Sequence, residues 1–157
     1  GQDVVHHQVM VGFESPPGSL SLRSILGPHL GSTVFVKMDV EGWEYRVIKQ
    51  LLEVSESVVG FVVEFHDVDL HRDLISGFIE SATDYAVVHV HANNYGGTDP
   101  AGDPLVLEFT FARRDLLEPD LSGVAASVDF PNCPELAEIP VHFAEPVSGS
   151  NSNAPSE

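Results

Sequence analysis

The chain has 157 residues, 43% of them hydrophobic, enough for one globular domain with a core. Its 24 acidic residues against seven basic ones give a formal charge of −17, which argues against a nucleic-acid backbone or an anionic membrane as partner; it is mildly compatible with a cationic ligand, but solubility is the better explanation of most of it. The single cysteine, Cys133, excludes an intrachain disulfide and a multi-cysteine metal site; with no membrane-spanning run and no signal-like start, the expected location is cytoplasmic.

In chain order, residues 1–18 form a lead-in with a short apolar alternation around Val9–Val11, broken at Ser15-Pro-Pro-Gly18. Ser19 is a candidate cap for a helix from Leu20 to about Leu30, closed by Gly31. Thr33–Met38 reads as a fully buried strand. A helix follows from Gly42 to about Val54, with Trp43, Val47, Ile48, Leu51 and Leu52 on its inner face. Val58–Phe65 is a second continuous apolar run, as in parallel strands covered on both faces. Asp69 is a candidate cap for a helix over Leu70–Ala82, turned inward through Leu70, Leu74, Ile75, Phe78 and Ile79. Tyr85–His91 is a third strand and residues 93–100 a loop. Leu105–Ala112 is a fourth strand, antiparallel to the third because no helix separates them. Residues 115–143 read as an irregular packing segment and 144–157 as a disordered tail. The order predicts an α/β fold: a three-layer sheet with a parallel, right-handed βαβ unit over Thr33–Phe65 and one reversed strand near an edge.

Polar residues gather where three of these strands end. The first end supplies Asp39 and Glu41, the second Glu64, His66 and Asp67, the third His89, His91, Asn93 and Asn94. Ligands in open α/β sheets sit at such ends. Carboxylates before a helix also interact well with its first N–H groups, which accounts for Glu44 and competes as the explanation of Glu41. Period two puts Glu64 and His66 on one side, where a carboxylate beside an imidazole suits a general base; a rim ion pair is an equal alternative. His89 and His91 share a side with Asn93 and read either as metal ligands or as structural histidines. Asp39, Glu64, His66 and Asn93 would suit Mg²⁺ or Mn²⁺, but no metal-binding motif is present and no ligand is assigned. His6, His7, His29, His71 and His142 show no pattern. Trp43 either stacks on a ligand or packs in the core, and its helical spacing with Val47 favours the core.

Lys37-Met-Asp-Val-Glu-Gly-Trp-Glu44, followed by Val47-Ile-Lys49, resembles the signature of FkbM-type methyltransferases. Val62–His66, His89–Asn94 and Leu107–Phe111 resemble later segments of that family in the same order, so the resemblance covers about residues 19–114. It implies a Rossmann-like class I methyltransferase sheet with a reversed last strand. It implies S-adenosylmethionine as cofactor and O-methylation of a hydroxyl on a natural product or glycan. On that resemblance Asp39 and Glu41 lie toward the donor. Asp39 and His66 are the candidate positioning group and base, with Glu64 orienting His66. His91, Asn93 and Asn94 line the acceptor side. The glycine-rich turn that binds the donor in such folds has no counterpart here. The chain then corresponds to the C-terminal half of the catalytic domain, as a fragment, as one of two partner chains, or as a remnant. The alternative function is a non-catalytic module that self-associates or pairs with another chain through the bare edge of its first strand. A metal-dependent hydrolase ranks behind both.

Overall fold

The structure is a computed structural model that describes residues 10–12, 18–117 and 130–142. His6, His7 and the expected tail from residue 144 lie outside these residues. Two short strands, β1 (Met10–Val11) and β2 (Ser19–Leu20), pair in parallel. Helix α1 (Leu22–Leu26) runs on into a 3₁₀ turn over Gly27–His29. Then come β3 (Val34–Met38), α2 (Glu44–Val47) with a 3₁₀ extension over Ile48–Val54, and β4 (Val58–Phe65). Helix α3 (Val68–Ser81), β5 (Tyr85–Ala92) and β6 (Leu107–Arg113) follow, and a 3₁₀ turn over Arg114–Leu116 succeeds β6.

The main sheet has the order β3-β4-β6-β5. β3 and β4 are parallel, while β6 runs antiparallel to both β4 and β5. The α/β class, the parallel unit and the reversed last strand are therefore present. The reversed strand is inserted between two others, since a hairpin-like return from β5 carries it back along both neighbours.

Strand alternation gives the sheet two different faces. Phe61, Val63 and Phe65 of β4, with Phe109 and Phe111 of β6, point to the helices. Phe61 packs against Phe78 of α3, Tyr85 and Phe111, and Phe65 packs against Tyr45 of α2. Tyr85 donates its hydroxyl proton to the Val58 carbonyl at 2.8 Å, which satisfies its polar end inside the core. Leu22, Val47, Ile48, Leu51 and Ile75 join the same core. The opposite face carries Phe35, Lys37, Val62, Glu64, Glu108, Thr110 and His91. Phe35 is 58% exposed there. The described helices cover one face only, so these residues form two layers where three were expected. β3 accordingly alternates between more and less exposed positions and is not fully buried.

Several local expectations shift for the same kind of reason. Ser21, not Ser19, caps α1, its side chain accepting from Ser24 N. Helix α3 starts two residues early, at Val68, with Asp67 at its N-cap in a left-handed conformation and no side-chain cap bond, so Asp69 lies inside the first turn. His71 kinks the helix at φ −125°. The inner face is consequently Val68, Ile75 and Phe78, and Leu70 and Leu74 are exposed. Trp43 precedes a single α-helical turn and is exposed at the rim beneath the Arg46 guanidinium, 4.2 Å from its ring centroid. Gln50 is buried and ties the lead-in to the core, donating to Gly12 O and accepting from Leu22 N.

Candidate functional site

The carboxyl ends of β3 and β4 lie side by side, and the turn after β3 builds the site. Glu41 at φ 54° and Gly42 at φ 91° both adopt left-handed backbone, which glycine tolerates and glutamate rarely does. The turn closes through Trp43 N donating to Val40 O at 3.1 Å. It folds around the carboxylate of Glu44, which is completely buried. Glu44 Oε1 accepts from Val40 N at 3.1 Å and from Gly42 N at 3.2 Å. The same oxygen lies 3.1 Å from His66 Nδ1. Three donors on one oxygen hold the carboxylate, and the carboxylate in turn sets the imidazole.

His66 follows the last residue of β4. Its carbonyl accepts from the Tyr45 hydroxyl, so the backbone is held as well as the ring. Burial, with the nearby charges of Glu44, Asp67 and Asp69, raises the Tyr45 pKa and keeps its hydroxyl a donor. Tyr45 stacks on His71, whose Nδ1 donates to Asp67 O. On the outer side of His66, Nε2 lies 3.4 Å from the exposed carboxylate of Glu41. In a neutral ring, Nδ1–H donated to Glu44 leaves the lone pair on Nε2, at the rim beside Glu41. Asp39 is exposed just past the end of β3 and belongs to the same cluster. One ligand-type atom from each of Asp39, Glu44 and His66 lies within 4.8 Å of the others.

Glu64 does not orient His66. Glu64 accepts from Asn93 Nδ2 at 2.7 Å, on the face of the sheet away from the helices. Asn93 in turn accepts from Tyr95 N and shapes its own loop. Glu64 stands opposite Glu108 in the ladder, a repulsive placement relieved by Asn93 on one side and Lys37 on the other. Lys37 Nζ donates to Glu108 Oε2 at 2.7 Å. That bond, reinforced by the charges of Glu108, Glu64 and Asp39, raises the lysine pKa against the opposing pull of burial.

A raised lysine value adds stability that is fully present below the ordinary lysine range and is lost as pH climbs through the higher folded value. More than half of the Lys37 side chain is in solvent, so screening keeps the effect small. Wild type and Lys37→Met are expected to differ in urea midpoint near neutral pH and to converge well above pH ~10.4. A difference that persists into strong alkali would show that packing, not charge, separates them.

Asn94 is not free to meet a substrate. It is buried and clasps residues 130–142: its Nδ2 donates to the carbonyls of Cys133 and Leu136, and its Oδ1 accepts from Cys133 N. The backbone of Cys133 completes this clasp. His91 reaches the same segment. Glu138 Oε2 lies 3.5 Å from His91 Nε2, close enough for an ion pair but without hydrogen-bond geometry, and the buried nitrogen is otherwise unpaired among the described residues. His89 and His91 stack with ring centroids 6.5 Å apart.

The strand ends thus form two groups: Asp39, Glu41, Glu44 and His66 on one, Lys37, Glu64, Glu108 and Asn93 on the other. Glu44 is the residue that reading the sequence missed. The available signal was its position five residues past a strand-end aspartate in an otherwise apolar helix face. Among the described residues, no helix is long and apolar enough to cross a membrane. Comparison with protein-family models, characterised proteins and solved structures finds no match.

Proposed function

We propose that this chain is the acceptor-side half of an FkbM-type, S-adenosylmethionine-dependent O-methyltransferase acting on a hydroxyl of a natural product or glycan. The observation that carries the reading is the Glu44–His66 pair: a wholly buried carboxylate on Nδ1 with Nε2 turned to the rim, formed by the stretch that bears the family-like signature. The order of segments, the parallel unit and the reversed last strand support it. So do the bare outer edge of β3 and the bare sheet face among the described residues, where further strands and helices of a full domain would pack.

A bound donor would supply an electrophilic methyl on its sulfonium. The described residues do not form a nucleotide cradle: Asp39 and Glu41 stand alone at the rim, with no glycine-rich turn beside them. They fit the acceptor side. There, His66 Nε2 accepts the proton of the incoming hydroxyl, Glu44 stabilises the imidazolium that results, and Tyr45 fixes the His66 backbone. Asp39 orients the hydroxyl from the exposed side.

Titration of the folded chain with S-adenosylmethionine, followed by amide and imidazole signals, tests the reading. Shifts centred on Asp39–Gly42 and His66 are expected. Because the described residues form no nucleotide cradle, these shifts should be weak and need high donor concentration; tight binding, or shifts centred elsewhere, would count against the reading.

The alternative, a non-catalytic module that pairs through β3, is favoured by one observation: β3 has a strand on one side only among the described residues. Scattering mass separates the two. A strictly monomeric folded chain would remove self-pairing.

A further inference from the structure

Glu44 has a second oxygen that the proton-transfer reading does not use. The side chain is completely buried, and Oε2 has no hydrogen-bond partner among the described residues, although Oε1 serves three donors. A buried carboxylate oxygen is normally paired, and where it is not, an ion or ordered group is the first explanation to seek. The other two members of the trio point to an ion. Asp39 and His66 each bring a ligand-type atom, and these lie within 4.8 Å of a Glu44 carboxylate oxygen and of each other.

We infer that Asp39, Glu44 and His66 bind one divalent first-row transition cation, Zn²⁺ or Mn²⁺. Ligand type sets the choice. Two carboxylates and one imidazole suit these ions, whereas Mg²⁺ and Ca²⁺ prefer oxygen alone. Size agrees. Three ligands at about 2.2 Å from one ion lie about 3.6–3.8 Å apart in tetrahedral or trigonal geometry, so a trio spread over up to 4.8 Å closes by about 1 Å at most. Asp39 is exposed and free to make that movement. Charge agrees too, because two carboxylates converge here in a chain of formal charge −17, and a dication neutralises the pair locally.

This site is not the set Asp39, Glu64, His66 and Asn93 expected from the sequence, because Glu64 and Asn93 bond each other on the far face. It does not depend on the methyl-transfer reading. A bound ion occupies the imidazole lone pair that the base needs, so metal and proton compete for Nε2, and metal binding and donor binding are read by separate titrations.

The test uses the full chain and two probes, Zn²⁺ by calorimetry and Mn²⁺ by paramagnetic broadening. Asp39→Asn is the diagnostic variant because Asp39 is exposed and its loss leaves the Glu44 bonds in place. Glu80→Gln, near the far end of α3, is the control for ions gathered by a general acidic surface. The expected result is one saturable site per chain, with His66 and Asp39 signals broadened first. Affinity should fall at least about tenfold in Asp39→Asn and hold in Glu80→Gln. Absence of binding would overturn the inference. So would non-saturable binding, equal loss in both variants, or broadening spread over the acidic surface.

Discussion

Glu44→Ala is expected to lower the unfolding free energy by about 3 kcal/mol, measured by urea denaturation at neutral pH. Two effects oppose each other. Removing a buried charge relieves its desolvation cost, and where both partners of such a pair are replaced the change is often neutral. Here only one partner goes. Val40 N and Gly42 N lose their acceptor inside a turn that already holds Glu41 at positive φ, and His66 Nδ1 loses its partner as well. Each orphaned donor costs about 1–3 kcal/mol unless water reaches it. Both backbone donors are half-buried, so partial hydration keeps the total near 3 rather than at the sum. Glu44→Gln keeps one acceptor oxygen and should cost about 1 kcal/mol. An alanine variant as stable as wild type would mean that the carboxylate does not organise the turn.

Phe61→Ala is expected to cost about 4 kcal/mol, enough to unfold a marginal domain. Phe61 is fully buried at the middle of β4 and touches rings from three other elements: Phe78, Tyr85 and Phe111. Its loss removes the transfer energy of a whole ring and opens a cavity lined by large side chains, which cannot collapse without moving the strands that carry two of them. Phe61→Leu fills most of the space and should lose less than half as much. Thermal or urea unfolding of the two variants checks the ordering. Equal stability for both would contradict a close-packed aromatic centre.

The strand Val58–Phe65 was legible to the residue, because an uninterrupted apolar run between polar ends has few other readings. The antiparallel return of β6 was legible from the missing helix before it. Burial was harder to read where it depends on which faces are covered. Thr33–Met38 looked buried because it is apolar, yet Lys37 and Phe35 look out from a face with no helix over it among the described residues. In α3, a start two residues early and a kink at His71 turned Leu70 and Leu74 outward. At the site, Asp39, Glu41 and His66 were legible as strand-end polar groups. Glu44 was not, since a glutamate in a first helical turn is already explained by the helix dipole, and only the fold shows it buried beneath an imidazole 22 residues away. Asn94 shows the same limit. Its partners lie about forty residues on, at Cys133 and Leu136, and no local pattern links them.

The Glu44 carboxylate on Nδ1 calls for a His66 ring with Nδ1 protonated and Nε2 turned to the rim beside Glu41. Long-range ¹H–¹⁵N correlation of the His66 ring in the folded chain, recorded at alkaline pH so that the ring is neutral, reads this directly. The account predicts the Nδ1–H tautomer for His66. A predominant Nε2–H tautomer would contradict it, because the proton would then sit on the nitrogen that has to accept one.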